Sequence, residues 1–422
     1  MVLRTRFLRW KESLFEACDP ASLGIFRICF GLLMIGHCVL LLVQDDFYTL
    51  WVAPRVHFPF EIGQLLPSLS PFIWFPIMLI ASLGLTLGYA YRFWAILLFL
   101  SKTYETFTEK AYYQNHFYLL YLLSFLMIFI EGDAWAALGG KVRSVPFWNI
   151  WILRFQLFCL YFFAGITKLT PYWLSGVAMH HTLAKLSEQT GFIPLILCTP
   201  FAENFLIYGG LVFDLSIGFL LWLPQTRILA FLGLVMFHYV NGYILFSPLT
   251  DASIGIFPLL GISSALIFFN PNWPRKILKK IGTLDSISKY PSLLSKKVSF
   301  ILLTIVAIYA AFQVIFPMVC FFIWNPHSGI KQRFSWTEDS HILMPRVHMV
   351  VTAPSQPSFE LSPIEGLASL QFQGLYSDPK AVLSYKLFLM DKLSKETAID
   401  RPHIWVYSRV YVDTPPMMKK HL

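Results

Sequence analysis

The segment from Val145 to Met179, VPFWNIWILRFQLFCLYFFAGITKLTPYWLSGVAM, joins a membrane-like apolar run to a lysine. The run from Leu157 to Ile166 is unbroken, and Lys168 follows it almost at once. Desolvation beside hydrocarbon disfavours an ammonium ion, so the neutral amine, which can take a proton from a weak acid, becomes accessible. The alternative is that Lys168 extends to the lipid headgroups beside Trp173. The segment therefore predicts a membrane helix and leaves two roles open for its lysine.

The composition of the whole chain is that of a polytopic membrane protein. Of the 422 residues, 56% are hydrophobic and 14% are charged, and the mean hydropathy is +0.59. The net charge of +9 comes from basic residues that cluster between the apolar runs, as the positive-inside rule requires, and no nucleic-acid motif accompanies them. The 6 cysteines are scattered, without the spacing of metal ligands. Membrane lipids are therefore predicted partners, whereas nucleic acid, a disulfide and a metal site are not.

About twenty apolar residues cross a bilayer, and roughly nine segments meet this requirement. They lie near residues 23–43, 70–88, 90–102, 116–131, 150–168, 205–223, 228–247, 253–269 and 298–323. The predicted fold is an α-helical polytopic membrane protein with about nine transmembrane helices. Its transmembrane domain is expected to span residues 1–323, and residues 324–422 are expected to form a small β-rich domain.

Basic residues predict the orientation of these segments. If the N-terminus is cytoplasmic, most lysines and arginines between the spans are cytoplasmic too. The outer loops then hold only Arg55, Lys102, Lys110 and Lys185. An odd number of spans places the C-terminal domain outside the cytoplasm, in the periplasm or a lumen. In that domain, alternating apolar residues at 346–352, 368–372 and 404–412 predict strands, and residues 380–393 predict a helix.

Several polar residues fall inside the predicted spans, toward the outer side. Asn115 and His116 open the fourth span, and Asp214 lies within the sixth. His238 and Asn241 are three residues apart in the seventh span and so share a helix face. Their convergence with Lys168 predicts a cavity that opens to the outer face. Such a cavity suits a quinol, whose hydroxyl has a pKa of roughly 10, like that of tyrosine.

Each of these residues also has a purely structural interpretation. A histidine within a membrane usually bonds a neighbouring helix, and Asn115 can cap the fourth span. Asp214 can pair with Arg154 or Arg227 and so lock helices together.

Short blocks of sequence, in one order, are similar to those of the vitamin K-dependent gamma-glutamyl carboxylase family, to which the bacterial HTTM (horizontally transferred transmembrane) proteins belong. The blocks are DPASLGIFRICFGLLM at 19–34, LGYAYR at 87–92, NHFYLL at 115–120, VPFWNIWILRFQ at 145–156, YFFAGITKL at 161–169, GGLVFDLSIGFLL at 209–221, FHYVN at 237–241 and NPNWPRKIL at 270–278. The resemblance covers roughly residues 15 to 325.

The resemblance implies an activity. The lysine that corresponds to Lys168 is the family's base, which deprotonates reduced vitamin K. Oxygen then converts the anion through an alkoxide to the epoxide, the alkoxide removes a γ-proton from a peptide glutamate, and CO2 adds to the carbanion. The resemblance therefore implies that this chain is a carbon–carbon lyase and quinol epoxidase that takes part in post-translational modification. Its expected co-substrates are reduced vitamin K or menaquinol, O2 and CO2. Asn115, His116, His238 and Asn241 match motifs that line the family's pocket.

The chain also departs from the family. Ser144 occupies the place of a histidine before the VPFWN block, and the C-terminal region is cut down to about 95 residues with little similarity. Epoxidation of a quinol therefore carries over better than carboxylation of a glutamate-containing peptide or protein. The alternative function is a non-enzymatic membrane protein that binds or transports a quinone lipid or an anionic metabolite, although no internal repeat typical of transporters is found.

Overall fold

The computed structural model describes residues 12–54, 56–188, 191–245, 255–281, 296–323, 333–336, 343–354, 356–362, 367, 371, 378–396, 399 and 402–412. Helices form at each position predicted to span the membrane. They are α1 (Ala21–Val43), α2 (Pro71–Leu87), α3 (Tyr91–Thr108), α4 (Asn115–Phe129), α5 (Trp148–Thr167), α9 (Pro200–Trp222), α10 (Arg227–Tyr239, with a π-helical continuation Val240–Leu245), α11 (Phe257–Ala265) and α13 (Lys296–Phe322). The remaining helices are α6 (Pro171–Leu174), α7 (Val177–Ser187), α8 (Phe192–Leu197), α12 (Trp273–Ile281) and α14 (Pro379–Glu396).

Five of the described helices are long and apolar enough to cross a membrane, namely α1, α5, α9, α10 with its π-helical continuation, and α13. Helices α2, α4 and α11 are apolar but shorter. Helix α3 carries three charged residues, Arg92, Lys102 and Glu105. The chain is thus a mostly helical protein compatible with several membrane crossings, whereas the number nine and the cytoplasmic N-terminus stay predictions.

Local sequence sets the start of three helices. Each begins with a serine or threonine followed by proline, at Ser70, Thr170 and Thr199, whose hydroxyl groups accept hydrogen bonds from backbone amides of the first turn. Proline suits the first helical position because its missing amide hydrogen would have no partner there. Helix α2 is followed by Gly88, whose φ of 75° is a backbone conformation that favours a residue without a Cβ atom.

At the end of the bundle where α1 begins, hydrogen bonds to the backbone join separate segments of the chain. Strand β1 (Ala17–Cys18) pairs antiparallel with β2 (Val145–Pro146), just before α5. The amide of Ser22 donates to the carbonyl of Pro271 at 3.0 Å. Arg154 donates from Nε and Nη2 to the carbonyls of Ile267 and Phe269, at 2.9 and 3.0 Å. These bonds hold the starts of α1 and α5 against the segment that follows α11.

The C-terminal region forms a three-stranded antiparallel sheet with one helix. The strands are β3 (Leu343–Ala353), β4 (Gln356–Leu361) and β5 (His403–Val412), in the order β4-β3-β5, and α14 packs Tyr385 and Leu389 against them. The predicted strands near 346–352 and 404–412 and the predicted helix at 380–393 are therefore confirmed. The predicted strand at 368–372 lies almost wholly outside the described residues.

The C-terminal sheet and helix contact the loops at the end of the bundle opposite the start of α1. Lys110 donates to Asp378 at 2.9 Å, and Gln371 donates to Glu109 at 2.8 Å. Phe58 packs with its ring centroid 6.4 Å from that of Tyr385. The C-terminal region thus docks on the segments before α2 and before α4.

Asp378→Asn is expected to weaken this docking by about 1.5–3 kcal/mol, because Lys110 loses a charged partner. Although partial burial favours the neutral acid, the hydrogen bond from Lys110 lowers the pKa of Asp378 below its ordinary value. The wild-type contribution is therefore complete above the ordinary aspartate pKa of ~3.9 and is lost as the pH falls below it. Limited proteolysis of residues beyond 323, followed against pH, measures this. Asp391→Asn, which breaks the exposed pair with Lys395, serves as the control and should leave cleavage unchanged.

Candidate functional site

Lys168 lies inside the protein and forms an ion pair with Asp214. It caps the C-terminus of α5, its residue is 4% exposed, and its Nζ atom donates to Oδ2 of Asp214 on α9. Nζ also lies 4.8 Å from the centroid of the Trp173 ring, a cation–π distance. An extended lysine that reaches the headgroups is therefore wrong for this structure. Lys168 is held between a carboxylate and an indole.

Arg154 and Arg227 are the partners that the structural interpretation allows for Asp214, and the structure shows an ion pair with Lys168. Arg154 binds the carbonyls of Ile267 and Phe269, and Arg227 donates to the carbonyls of Leu221 and Trp222, each at 3.0 Å. Both arginines therefore satisfy backbone oxygens at helix ends. The physical reason is depth, because both lie toward the end of the bundle where α1 begins, away from Lys168.

Gly165 allows α5 and α9 to approach closely enough for this pair to form. A Cβ atom on Gly165 would lie 2.8 Å from the backbone nitrogen of Leu215, the neighbour of Asp214. On α9, one turn beyond Asp214, a Cβ atom on Gly218 would lie 2.7 Å from the ring of Phe158 on α5. Small residues at such contacts let membrane helices approach to backbone distance. The glycine of the AGITKL block thus has a structural role in bringing Lys168 to Asp214.

His238 and His116 both lie next to Phe257. The ring centroids of His238 and Phe257 are 5.3 Å apart, and those of His116 and Phe257 are 5.7 Å apart. His238 Nε2 shares a hydrogen bond of 2.7 Å with the hydroxyl of Tyr161. Among the described residues, Nδ1 of His238 and Nε2 of His116 are buried and have no hydrogen-bond partner. Two imidazole nitrogens are therefore available to a bound molecule beside Phe257.

Tyr161 connects the two parts of this arrangement. Its hydroxyl contacts His238, and the charge of Asp214 acts on it electrostatically. Tyr161 lies on α5, two turns before Lys168, and is 4% exposed. Lys168, Asp214, His116 and His238 thus belong to one buried region. Tyr161 was not among the predicted site residues, although it is the first residue of the YFFAGITKL block that contains Lys168.

The two predicted asparagines take less central positions. Asn115 is the first residue of α4, and Gln114 is the N-cap. Oδ1 of Asn115 accepts a hydrogen bond of 3.4 Å from the hydroxyl of Tyr113. Asn115 therefore does not occupy the N-cap position, and the side chain of Gln114, which does, makes no capping hydrogen bond. Asn241 lies in the π-helical continuation of α10, one turn beyond His238, and is half-buried.

A second buried group of ionisable residues was missed. Lys102 was assigned to an outer loop, but it lies within α3 and is 0% exposed, as is Glu105. The prediction was wrong because the apolar window ended at Lys102, whereas the helix continues to Thr108. Glu105 binds Lys102, and its Oε1 lies 2.7 Å from Nε2 of His37 on α1. The signal in the sequence was the i, i+3 spacing of opposite charges beside a span that contains a histidine.

Asp214→Asn is expected to destabilise the protein by roughly 3–5 kcal/mol, since it leaves the buried Lys168 ammonium without its counter-ion. The thermal unfolding midpoint in detergent measures this effect. The double variant Lys168→Met with Asp214→Leu should recover most of the loss, because a buried ion pair and an apolar pair of similar volume are often equally stable. Glu203→Gln, on the same helix but at an exposed pair with His180, is the control. An Asp214→Asn protein as stable as the wild type would contradict the importance of the pair.

Gly165→Ala is expected to cost about 1–3 kcal/mol, because the new methyl group meets backbone that cannot rotate away. The same unfolding measurement checks it. Gly210→Ala on α9 is the matched control, since the nearest atom to its added Cβ would be 3.9 Å away, on Trp173. Equal stability of the two variants would show that α5 and α9 separate freely.

The comparison with known families covers the part of the chain that carries these residues. The HTTM domain model matches residues 15–273, which include the predicted site residues Lys168, Asp214, Asn115, His116, His238 and Asn241. No solved structure matches the chain. Since the match covers more than half of the sequence, the chain belongs to the HTTM domain family, consistent with the vitamin K-dependent carboxylase-like proteins that contain this domain.

Proposed function

We propose that this chain is an integral membrane enzyme of the vitamin K-dependent carboxylase type, which deprotonates a quinol and oxygenates it to the epoxide. The substrate class is reduced vitamin K or menaquinol, with O2 as the oxidant. The observation that carries the proposal is the burial of Lys168 together with Asp214, within a family whose members include carboxylase-like membrane proteins. Ionisable residues buried at membrane depth are costly and are mostly kept for function.

The pair supplies a base without requiring a free buried charge. In a site from which water is excluded, transfer of the Lys168 proton to Asp214 neutralises both groups and removes the cost of holding two ions. The neutral amine then accepts the hydroxyl proton of a quinol, whose electron pair stays on the ring oxygen. The result is an ammonium beside a quinolate, with Asp214 as the neutral acid. Trp173 supports the ammonium by its cation–π contact at 4.8 Å.

The histidines beside Phe257 are suited to stabilise the resulting anion. If Tyr161 donates its hydroxyl hydrogen to Nε2 of His238, the neutral imidazole carries its own hydrogen on Nδ1. That N–H is the buried, unpartnered group described above, and it can donate to an oxyanion. Nε2 of His116, which also lies next to Phe257, provides a second polar contact. Asn115 and Asn241 are proposed to line the same pocket at its edge.

Carboxylation of a peptide glutamate by CO2 is a further part of the proposal, and it has less support. Ser144 replaces a family histidine, and the region after residue 323 is short. The C-terminal sheet and helix dock beside the start of α4, which carries Asn115 and His116. A peptide bound by that region would therefore approach the proposed pocket from the end opposite the start of α1.

One observation favours a different function, binding of a quinone lipid without chemistry. Lys168 already has a carboxylate partner, and a closed ion pair can serve as a fixed wall of a lipid-binding or transport site. The two functions differ in product, since only the enzyme forms an epoxide from the bound quinol.

Lys168→Ala is expected to abolish epoxide formation when the purified protein receives reduced vitamin K and oxygen, because no other amine replaces the base. Product is measured by chromatography, with labelled bicarbonate and a short glutamate peptide present so that fixed CO2 is counted separately. Lys380→Met, at an exposed lysine of the C-terminal helix, is the control.

Each result of this assay separates the candidate functions. Epoxide without fixed label indicates an epoxidase, and both together indicate a carboxylase. Binding of the quinone without any product would favour the non-enzymatic function. Undiminished epoxide formation by the Lys168→Ala protein would refute the role of this residue.

A further inference from the structure

His37, Lys102 and Glu105 form a compact ionic cluster between α1 and α3, called here the α1–α3 cluster. Glu105 accepts from Lys102 through Oε2 and lies 2.7 Å from Nε2 of His37 through Oε1. Lys102 Nζ lies 3.2 Å from the same Nε2 atom. The three residues are 2%, 0% and 0% exposed, in the order given above. The cluster is therefore a complete triangle of polar atoms within the protein interior.

The triangle allows two protonation states of His37. A single atom, Nε2, faces both an ammonium donor and a carboxylate acceptor. A neutral His37 either accepts from Lys102 or donates to Glu105, depending on its tautomer, whereas a protonated His37 donates to Glu105. The carboxylate stabilises the imidazolium, and Lys102 opposes it. The cluster can thus take up one proton while Glu105 keeps its contacts with both His37 and Lys102.

The cluster lies next to His116. The ring of Phe117 is 5.3 Å from the His37 ring, 5.3 Å from Lys102 Nζ and 4.3 Å from the His116 ring. His116 in turn lies beside Phe257, whose ring also contacts His238. Phe117 thus lies between the α1–α3 cluster and His116, Phe257 contacts both His116 and His238, and His238 bonds Tyr161, on which the charge of Asp214 acts. The other titratable groups close to the cluster are Tyr112, Cys38 and Asp46.

A quinol needs more than one base on the way to its epoxide. The product carries two carbonyl groups, so both O–H bonds of the quinol must break. Lys168 accounts for one of these protons. The second proton has to be held until the reduced oxygen atom takes it, and a buried acceptor near the same pocket can hold it. Apolar side chains could join α1 and α3 equally well, so the three ionisable residues of the cluster point to a role beyond helix packing.

We propose that the α1–α3 cluster is the second proton-accepting site of the quinol reaction. This inference rests on the proposed function. The second hydroxyl O–H bond breaks, its electron pair stays on the ring oxygen, and the proton forms an N–H bond on Nε2 of His116. His37 takes up a proton in turn and becomes an imidazolium beside Glu105, and His116 returns to its neutral form. One atom of O2 enters the epoxide, and the other, reduced by the quinol, takes the protons held by the two bases and leaves as water.

The test uses the purified full-length protein in lipid nanodiscs, with reduced vitamin K as the probe. Epoxide formation is measured against pH for the wild type, His37→Gln, Glu105→Gln and Lys168→Ala, together with quinone binding and the thermal unfolding midpoint. His57→Gln is the matched control, because His57 pairs with Glu109 at 3.5 Å but is 41% exposed and lies outside this region.

His37→Gln is expected to lose at least about a hundredfold in rate, the lower end for loss of a general base, while its quinone binding stays within about twofold. In the wild type the rate should fall at acid pH, where His37 is protonated before the reaction. Glu105→Gln should move this acidic limb to lower pH, because the imidazolium loses its counter-ion. His57→Gln should match the wild type throughout.

Three outcomes would overturn the proposal. Full turnover by His37→Gln with none by Lys168→Ala would remove the second site and leave the proposed function intact. Slow turnover accompanied by lost quinone binding or a lower unfolding midpoint would assign the cluster to structure alone. Absence of epoxide from the wild-type protein would refute both proposals.

Discussion

The pairing of charges inside an apolar bundle is the constraint on which this structure depends. Lys168 and Asp214 come from different helices, and each would be costly to bury without the other. Their contact requires α5 and α9 to meet at Gly165, where only a residue without a Cβ atom lets backbone reach backbone. The chemistry-bearing lysine, the helix contact and the glycine of one short block are therefore parts of a single arrangement.

The sequence predicted the positions of the helices well because hydropathy is a local property. Helix α1 begins within two residues of its predicted start and ends at its predicted end, and α13 and the C-terminal strands occur where alternation and apolar length placed them. The short helices α6, α7 and α8 lie between residues 170 and 198, where the sequence has no apolar run of membrane length that would predict a helix. Short helices stabilised by their surroundings leave little periodic signal.

Partners across helices could not be read from the sequence. Asp214 has two arginines on nearby segments, and only the depth of each residue in the bundle decides that Lys168 is its partner. Lys102 was placed in a loop because a charge normally ends a membrane span. In α3 that rule fails, since Glu105 one turn later neutralises Lys102 and His37 approaches from α1. Such compensation is visible only when the helices are packed, so the sequence located the first base and missed the cluster.

The docked C-terminal region links the surface to this interior. The amide of Phe334 donates to the hydroxyl of Tyr113 at 2.6 Å, and the same hydroxyl donates to Asn115 Oδ1 at 3.4 Å. Phe334 also packs on Tyr118, one helical turn into α4, with ring centroids 5.2 Å apart. The first turn of α4, which carries His116, is thus held in part by residues that follow the last apolar helix. Because a hydrogen-bonded base must be positioned within a fraction of an ångström, a displacement of this region alters the geometry of His116 without touching it. The docking contacts therefore serve the proposed site as well as the stability of the C-terminal sheet.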